Sequence, residues 1–99
     1  MAKKTNKSNA GTSFYNVIIT TTPQKLLDLF GEPTYGDNSG KDKTNFDWVL
    51  ETEDGDVFTI YDWKEYRPLY MDEHIDFHIG GMSKYVTINA WNELRDLGI

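Results

Sequence analysis

The sequence predicts an α+β domain with the element order β-α-β-β-β-α, in which an antiparallel sheet carries two helices packed on one face. Two segments rich in aromatic and β-branched residues flank Asp54-Gly55 within residues 47–64, a pattern typical of a tight hairpin. Apolar residues recur at helical spacing in residues 23–30 and 86–97, which indicates two helices. At 99 residues the chain is long enough for one modest core and too short for two.

The first twelve residues differ in composition from the rest of the chain. Residues 1–12 mix Lys, Asn, Ser, Thr and Gly, and their only apolar residues are Met1 and two alanines. Such a segment has little to anchor it to a core. The sequence therefore predicts a flexible basic N-terminal tail over residues 1–12 and a single α+β domain over residues 13–99. Deletion of residues 1–11 is expected to leave the melting temperature nearly unchanged.

The first strand and the first helix follow this tail. Phe14–Thr20 is a compact apolar and β-branched run, which predicts a buried strand. A threonine suited to cap a helix then precedes Pro23, and Gly31 follows the apolar stripe. A helix is predicted from about Pro23 to Phe30, and it is short enough to depend on packing against the sheet.

The first strand of the hairpin has a clear inward and outward alternation. Phe46, Trp48 and Leu50 share one side and alternate with Asp47, Val49 and Glu51. We therefore expect the first three side chains in the core.

The second hairpin strand is less regular, because both of its sides are partly apolar. Phe58 and Ile60 point to one side, whereas Tyr61 and Trp63 point to the other. Two interpretations remain open. Either the helices cover one face and leave Tyr61 and Trp63 on an aromatic outer surface that binds a ligand, or the core is locally two-sided.

A fourth strand and a second helix complete the domain. Apolar and polar residues alternate strictly over residues 74–79, and Gly80-Gly81 follows, which predicts a strand that ends in a turn. Its polar face carries His74, Asp76 and His78. The helix over residues 86–97 has Thr87 or Asn89 as its predicted cap.

Composition excludes several classes of function. The chain has no cysteine, so it has neither disulfides nor a thiolate nucleophile, and a reducing cytoplasm suits it. Its apolar runs are too short to cross a membrane. The net charge is −6, and because residues 1–10 hold three of the ten basic residues, seven basic residues face sixteen acidic ones elsewhere. Such an acidic body repels DNA and RNA, and it favours solubility or a basic partner.

No motif predicts catalysis. The spacing His74-x-Asp76-x-His78 is the one constellation that suits metal ligands, because alternate strand residues converge on one cation. Histidines on an outward strand face are more often solvent-facing, so no metal and no cofactor is predicted. The sequence indicates a protein that is not an enzyme.

The predicted ligand-binding surface surrounds the outward aromatic residues of the hairpin. Aromatic rings stack on a planar base, and basic side chains and glycine amides receive phosphates. These features favour a nucleotide-like ligand. The predicted site consists of Tyr61, Trp63, Lys64, Arg67, His78, Gly80 and Gly81.

Three segments also carry a resemblance: Leu29-Phe30-Gly31-Glu32-Pro33, residues 57–64 with Thr-Ile-Tyr-Asp-Trp-Lys, and His78-Ile79-Gly80-Gly81. Together they resemble a family of small proteins encoded by tailed bacteriophages, including crAss-like phages, over roughly residues 13–90. The helix ending in Phe-Gly-x-Pro before an aromatic hairpin is also similar to beta-lactamase-inhibitor-protein-like domains, which differ in having two helices before the hairpin.

The resemblance implies a non-enzymatic phage accessory protein in the host cytoplasm. Its expected action is counter-defence, by binding or sequestering a host factor or a nucleotide-derived immune signal. The alternatives are a virion structural or assembly component and a small metal-dependent enzyme. The expected partners are a nucleotide-like small molecule or a host protein, with neither nucleic acid nor membrane involved and a homo-oligomer allowed.

Overall fold

The computed structural model describes residues 1–99 as five strands and two helices. In chain order they are β1 (Lys3–Lys4), β2 (Ser13–Thr21), α1 (Pro23–Phe30), β3 (Asp47–Glu51), β4 (Val57–Tyr61), β5 (Ile75–Gly81) and α2 (Lys84–Asp96). The strands form one antiparallel sheet in the order β1-β3-β4-β5-β2. The predicted α+β class is confirmed, and the sheet gains one short strand at its edge. Neither helix is long and apolar enough to cross a membrane.

The hairpin of β3 and β4 forms as predicted. Glu51 pairs with Val57 at the end of the ladder, and the turn between them closes with a hydrogen bond from the Gly55 N–H to the Thr52 carbonyl oxygen at 2.9 Å. Gly55 has a φ of 86°, a conformation that residues with a Cβ rarely adopt. The glycine thus sets the position of the turn and the register of both strands.

One face of the sheet carries the core. Trp48, Phe58 and Phe77 are fully buried there, and Leu26 of α1 and Leu94 of α2 cover them in one apolar cluster. Burial of each such side chain contributes about 1.5–3 kcal/mol. The inward alternation of β3 and the packing of both helices on one face are therefore confirmed.

The helix ends agree with the sequence at α1 and differ at α2. The Thr22 hydroxyl accepts a hydrogen bond from the Lys25 N–H at 3.1 Å, and Pro23 occupies the first turn. At α2 the cap is Ser83, whose Oγ accepts from the Val86 N–H at 3.3 Å. The predicted cap at Thr87 or Asn89 is wrong, because both residues lie inside α2 and the helix begins at Lys84, before the apolar spacing starts at Val86.

The N-terminal segment requires a correction, because part of it packs on the domain. Ala2 is buried in the core cluster, and Lys3 and Lys4 pair with Glu51 and Leu50 of β3. The expectation of an unanchored tail fails because backbone groups pair in a sheet whatever their side chains, and a strand of two residues shows no alternation.

Strand β2 lies at the sheet edge and is not the buried strand that its apolar run predicted. Ile19 and Thr21 are buried, whereas Phe14 and Ile18 are 37% and 41% exposed. The pairing with β5 shifts between Phe14 and Ile18, where Asn16 has a φ of 65°. An apolar run does not distinguish an edge strand from a central one.

Candidate ligand-binding surface

Four aromatic rings gather on the sheet face opposite the helices. Three of them lie on strands β2, β4 and β5, and the fourth lies two residues after the end of β4. We refer to these four residues as the aromatic cluster: Phe14, Tyr61, His78 and Trp63. Trp63 is 41% exposed and Phe14 is 37% exposed. Of the two interpretations of the second hairpin strand, the one with Tyr61 and Trp63 on an aromatic outer surface therefore agrees with the structure.

His78 is the centre of the aromatic cluster. Its ring stacks on Phe14 with centroids 4.0 Å apart and planes inclined by 12°, and it meets the Tyr61 ring edge-on at 5.4 Å. Trp63 lies 6.4 Å from His78 and 6.0 Å from Tyr61. Stacked and edge-to-face pairs at these distances are the favoured aromatic geometries, so the four rings form one continuous surface.

The strand register explains why these rings meet. Tyr61 pairs directly with His78, and Thr59 pairs with Gly80. A Cβ atom on Gly80 would lie 2.6 Å from the Thr59 hydroxyl oxygen and 3.5 Å from the Tyr61 ring. Glycine therefore allows the Thr59 side chain to lie against β5 beside Tyr61.

Two lysines border the exposed indole. The Nζ atoms of Lys43 and Lys64 lie 5.8 Å and 5.5 Å from the Trp63 ring centroid, within cation–π range. The Lys64 N–H donates to the Lys43 carbonyl oxygen at 2.7 Å, which joins the two loops. Lys64 and Tyr66 have φ values of 57° and 54°, a left-handed conformation that costs a non-glycine residue about 1–3 kcal/mol and is enriched at functional sites.

A buried carboxylate fixes the chain just before Trp63. Oδ1 of Asp62 accepts hydrogen bonds from the backbone N–H groups of Asn45 and Phe46 at 2.7 Å and 2.9 Å. Since Asp62 is fully buried, these bonds hold the start of the loop that carries Trp63 and Lys64 against the start of β3.

Asp47 lies beside the aromatic cluster and lacks a full set of partners. It pairs with Tyr61 across the strands, and its buried Oδ1 accepts no hydrogen bond. Burial, with a smaller contribution from the negative charge of Asp62, raises the pKa of Asp47 to about 6. Burial and then Asp47 also raise the pKa of Tyr61. Perturbed groups of this kind concentrate at functional sites.

The imidazole of His78 is kept neutral by its surroundings. Burial lowers its pKa, and the nearby Asp76 carboxylate opposes this effect only in part. At neutral pH the aromatic cluster is therefore uncharged at its centre, and the positive charge lies at its border on Lys43 and Lys64.

The structure brings together five of the seven residues that the sequence assigned to the site. Trp63, Tyr61 and His78 are in contact, Lys64 borders the indole, and Gly80 lies beside Tyr61.

Arg67 and Gly81 are the two exceptions. The Arg67 guanidinium makes two hydrogen bonds to Glu73, at 2.8 Å and 2.9 Å, so its charge is already paired. A Cβ atom on Gly81 would lie 2.9 Å from the Thr87 side chain, which places that position against α2 on the opposite face of the sheet.

The predicted turn at Gly80-Gly81 is wrong. Both residues lie within β5 and pair with β2 on one side and β4 on the other. Their amides therefore belong to the sheet ladders, and the expectation that these amides receive a phosphate is wrong as well. The two glycines are required here because the side chains of Thr59 and Thr87 pack closely against the β5 backbone, one on each face of the sheet.

His74, Asp76 and His78 do not assemble into a ligand set. His74 precedes β5, Asp76 Oδ1 accepts a hydrogen bond from the Thr20 hydroxyl at 2.6 Å, and His78 is stacked on Phe14. The structure contains no group of three or more His, Asp or Glu side chains arranged to hold a metal ion.

Sequence reasoning missed three residues of this surface: Phe14, Lys43 and Asp47. The alternation of β3 already placed Asp47 on the side opposite the core, so its position was available from the sequence. Phe14 reaches His78 across an irregular part of β2, and Lys43 reaches Trp63 from a loop, and neither contact has a periodic signal.

The aromatic cluster is an open surface. The three cavities of the structure lie elsewhere. Comparison of the chain with known protein families, curated proteins and solved structures gave no match, so the geometry and chemistry of the residues carry the functional argument.

Proposed function

We propose that this chain is a non-enzymatic binding protein that takes up a small nucleotide-like molecule on the aromatic cluster. The observation that carries this proposal is the exposed Trp63 indole, which is held against Tyr61 and His78 and bordered by Lys43 and Lys64. Neutral rings beside positive charge match a ligand that has both a planar base and a phosphate.

Stacking supplies most of the binding free energy. A base that stacks on an aromatic side chain gains about 1–3 kcal/mol. The Trp63 ring offers such a surface because its partners hold it in place before the ligand arrives, so little side-chain entropy is lost on binding.

The lysines select a charged ligand of limited size. Lys43 and Lys64 supply two ammonium groups for a phosphate, whereas the chain as a whole has a net charge of −6. A polynucleotide would have to run its backbone across that acidic surface. A mononucleotide, a cyclic nucleotide or an ADP-ribose-type molecule is small enough to place its phosphate at the two ammonium groups without crossing the acidic surface.

The surroundings of the titratable groups favour binding over turnover. His78 is covered by Phe14, and the unpaired oxygen of Asp47 is enclosed. The enclosed Asp47 oxygen cannot reach a substrate, as a general acid or base must, and the partly exposed His78 ring packs against Phe14 and Trp63. Given the resemblance to phage proteins, we propose that the chain sequesters a host factor or a nucleotide-derived immune signal in the host cytoplasm.

Calorimetry with a panel of cyclic and ADP-ribose-type nucleotides tests this function. We expect one ligand to bind, with affinity reduced by about tenfold or more in Trp63→Ala, the effect of losing a contact of about 1.4 kcal/mol. Tyr85→Ala is the control, because Tyr85 is an exposed aromatic residue that lies on α2 and lines neither the aromatic cluster nor a cavity. No heat with any nucleotide, together with capture of one stoichiometric host protein, would reject the small-molecule ligand and leave protein sequestration.

A lysine pair extends the test to the phosphate. Lys64→Met keeps an unbranched side chain of nearly the same length and removes its charge. Lys41→Met makes the same change at an exposed lysine of the preceding loop. We expect weaker binding only in Lys64→Met, with a smaller effect at high salt because screening already reduces the attraction. Equal losses in both variants would mean that the net charge of the chain, and not a defined site, drives binding.

A further inference from the structure

Strand β2 has a free edge. It is the last strand of the sheet, and Ser13–Thr21 makes backbone hydrogen bonds to no segment other than β5. An edge strand presents a row of unpaired N–H and carbonyl groups that another strand can pair with.

The two edges of the sheet are protected very differently. The edge strand β1 has two residues, both lysines, and short charged strands of this kind prevent edge-to-edge pairing. Around β2, residues 8–24 contain no Asp, Glu, Lys or Arg, although the chain has ten basic and sixteen acidic residues. The nine residues of β2 therefore lack the charges that normally protect an edge.

An apolar groove runs beside this edge. A cavity of about 340 Å³ is lined by Asn16, Val17, Ile18, Ile88 and Trp91. The side chains of Ile18, Ile88 and Trp91 are 41%, 45% and 36% exposed. Exposed apolar side chains beside a strand edge without charged residues indicate a protein-binding surface.

We propose that a second copy of this chain occupies this edge, with the two β2 strands paired antiparallel about a twofold axis. Two copies repel each other wherever their acidic surfaces meet, and β2 is the stretch on which they approach without bringing charges together. A basic partner would instead be drawn to the acidic surfaces elsewhere. Identical strands pair symmetrically in a twofold dimer, which closes the contact at two chains.

Such pairing joins two five-stranded sheets into one continuous sheet of ten strands. A twofold axis perpendicular to that sheet places both aromatic clusters on the same side. Because Phe14 belongs to β2 and contacts His78, each cluster then lies next to the dimer contact, and the pair forms one extended aromatic surface.

Sedimentation equilibrium over about a hundredfold range of concentration tests the dimer, since self-association follows mass action. We expect a monomer–dimer equilibrium whose dissociation constant rises at least about tenfold in Ile18→Lys, which places like charges opposite each other. Ile88→Lys makes the same change on α2 and serves if the strand variant fails to fold. Tyr35→Lys is the control, because Tyr35 is an exposed aromatic residue beside β3.

The result expected is a dimer for the wild type and Tyr35→Lys, and monomers for folded lysine variants at the groove. A wild-type monomer at every concentration would overturn the proposal. Open-ended oligomers, or a dimer that survives both groove substitutions, would overturn it as well.

Discussion

Asn45 and Asp62 join two loops through buried side chains: Nδ2 of Asn45 donates to Oδ2 of Asp62 at 3.0 Å, and the Asn45 backbone N–H donates to Oδ1 at 2.7 Å. The same Asn45 amide donates to the Arg67 carbonyl oxygen and accepts from the Gly40 N–H, each at 2.8 Å. This pair thus connects residues on both sides of the hairpin. Trp63 follows Asp62 directly, so its position depends on the network.

Replacing Asp62 with alanine should therefore be strongly destabilising. The backbone N–H groups of Asn45 and Phe46 would be left buried without acceptors, at a cost of about 1–3 kcal/mol each. Urea denaturation should show a total loss of at least about 3 kcal/mol, whereas the exposed Asp72→Ala should change stability by about 0.5 kcal/mol or less. Similar values for both variants would contradict the structural role of this network.

The two tryptophans of the hairpin region should differ in their importance for stability. Trp48 is fully buried and Trp63 is 41% exposed. Trp48→Ala should cost about 3–5 kcal/mol, the range for removal of a large core aromatic. Trp63→Ala should cost about 1 kcal/mol, because it loses only aromatic contacts at the surface. Equal losses measured by chemical denaturation would refute the assignment of the two faces.

The raised pKa of Asp47 should make the stability difference between the wild type and Asp47→Asn depend on pH. With a pKa of about 6 in the folded protein and an ordinary value of 3.8, the folded state keeps a proton that the unfolded state has lost between these pH values. Its contribution to folding stability therefore falls as pH rises through this window. Asp47→Asn should match the wild type near pH 4 and be more stable by about 1–2 kcal/mol above pH 7, the scale of an unsatisfied buried group.

Thermal denaturation of Asp47→Asn and wild type at a series of pH values checks this sign. Asp37→Asn is the control, because Asp37 is exposed and already accepts a hydrogen bond from the Ser39 N–H at 3.1 Å. A gain for Asp47→Asn that is the same at pH 4 and pH 8 would mean that ionisation of Asp47 is not the cause.

Removal of residues 1–7 should lower stability, contrary to the sequence-based expectation of no change. The deletion removes buried Ala2 and the pairing of β1 with β3, which together contribute about 1–2 kcal/mol. Lys7→Ala isolates the exposed ion pair between Lys7 and Glu51 at 2.8 Å, and it should lower the melting temperature much less than the deletion does, because solvent screens an exposed pair. An unchanged melting temperature after the deletion would restore the view of an unanchored tail.

Local signals in the sequence were sufficient for most of the fold. The Asp54-Gly55 turn, the alternation of Phe46, Trp48 and Leu50, and the proline and glycine at the ends of α1 each depend on neighbours in the chain, so their structures followed directly. The β1 pairing did not follow, because its partner lies more than forty residues away and its two lysines carry no pattern.

The candidate site was predictable only where strand alternation reached it. Tyr61 and His78 share a face because each lies on a regular strand. Arg67 was wrongly assigned to the site because its pairing with Glu73 occurs within a loop and has no sequence pattern. Gly81 was wrongly assigned because the sequence of a diglycine is the same in a turn and in a central strand. Phe14 required knowledge of the irregular pairing of β2.

Titration of ¹⁵N-labelled protein with the nucleotide panel, monitored through the indole N–H signals of its three tryptophans, decides whether the aromatic cluster binds the nucleotide. Trp63, Trp48 and Trp91 report on the outer face, the core and α2 respectively. We expect a binding nucleotide to shift the Trp63 signal strongly, to shift the backbone amides around His78, and to leave the Trp91 signal unchanged. A ligand that shifts Trp91 and not Trp63 would show that the aromatic cluster is not the binding surface.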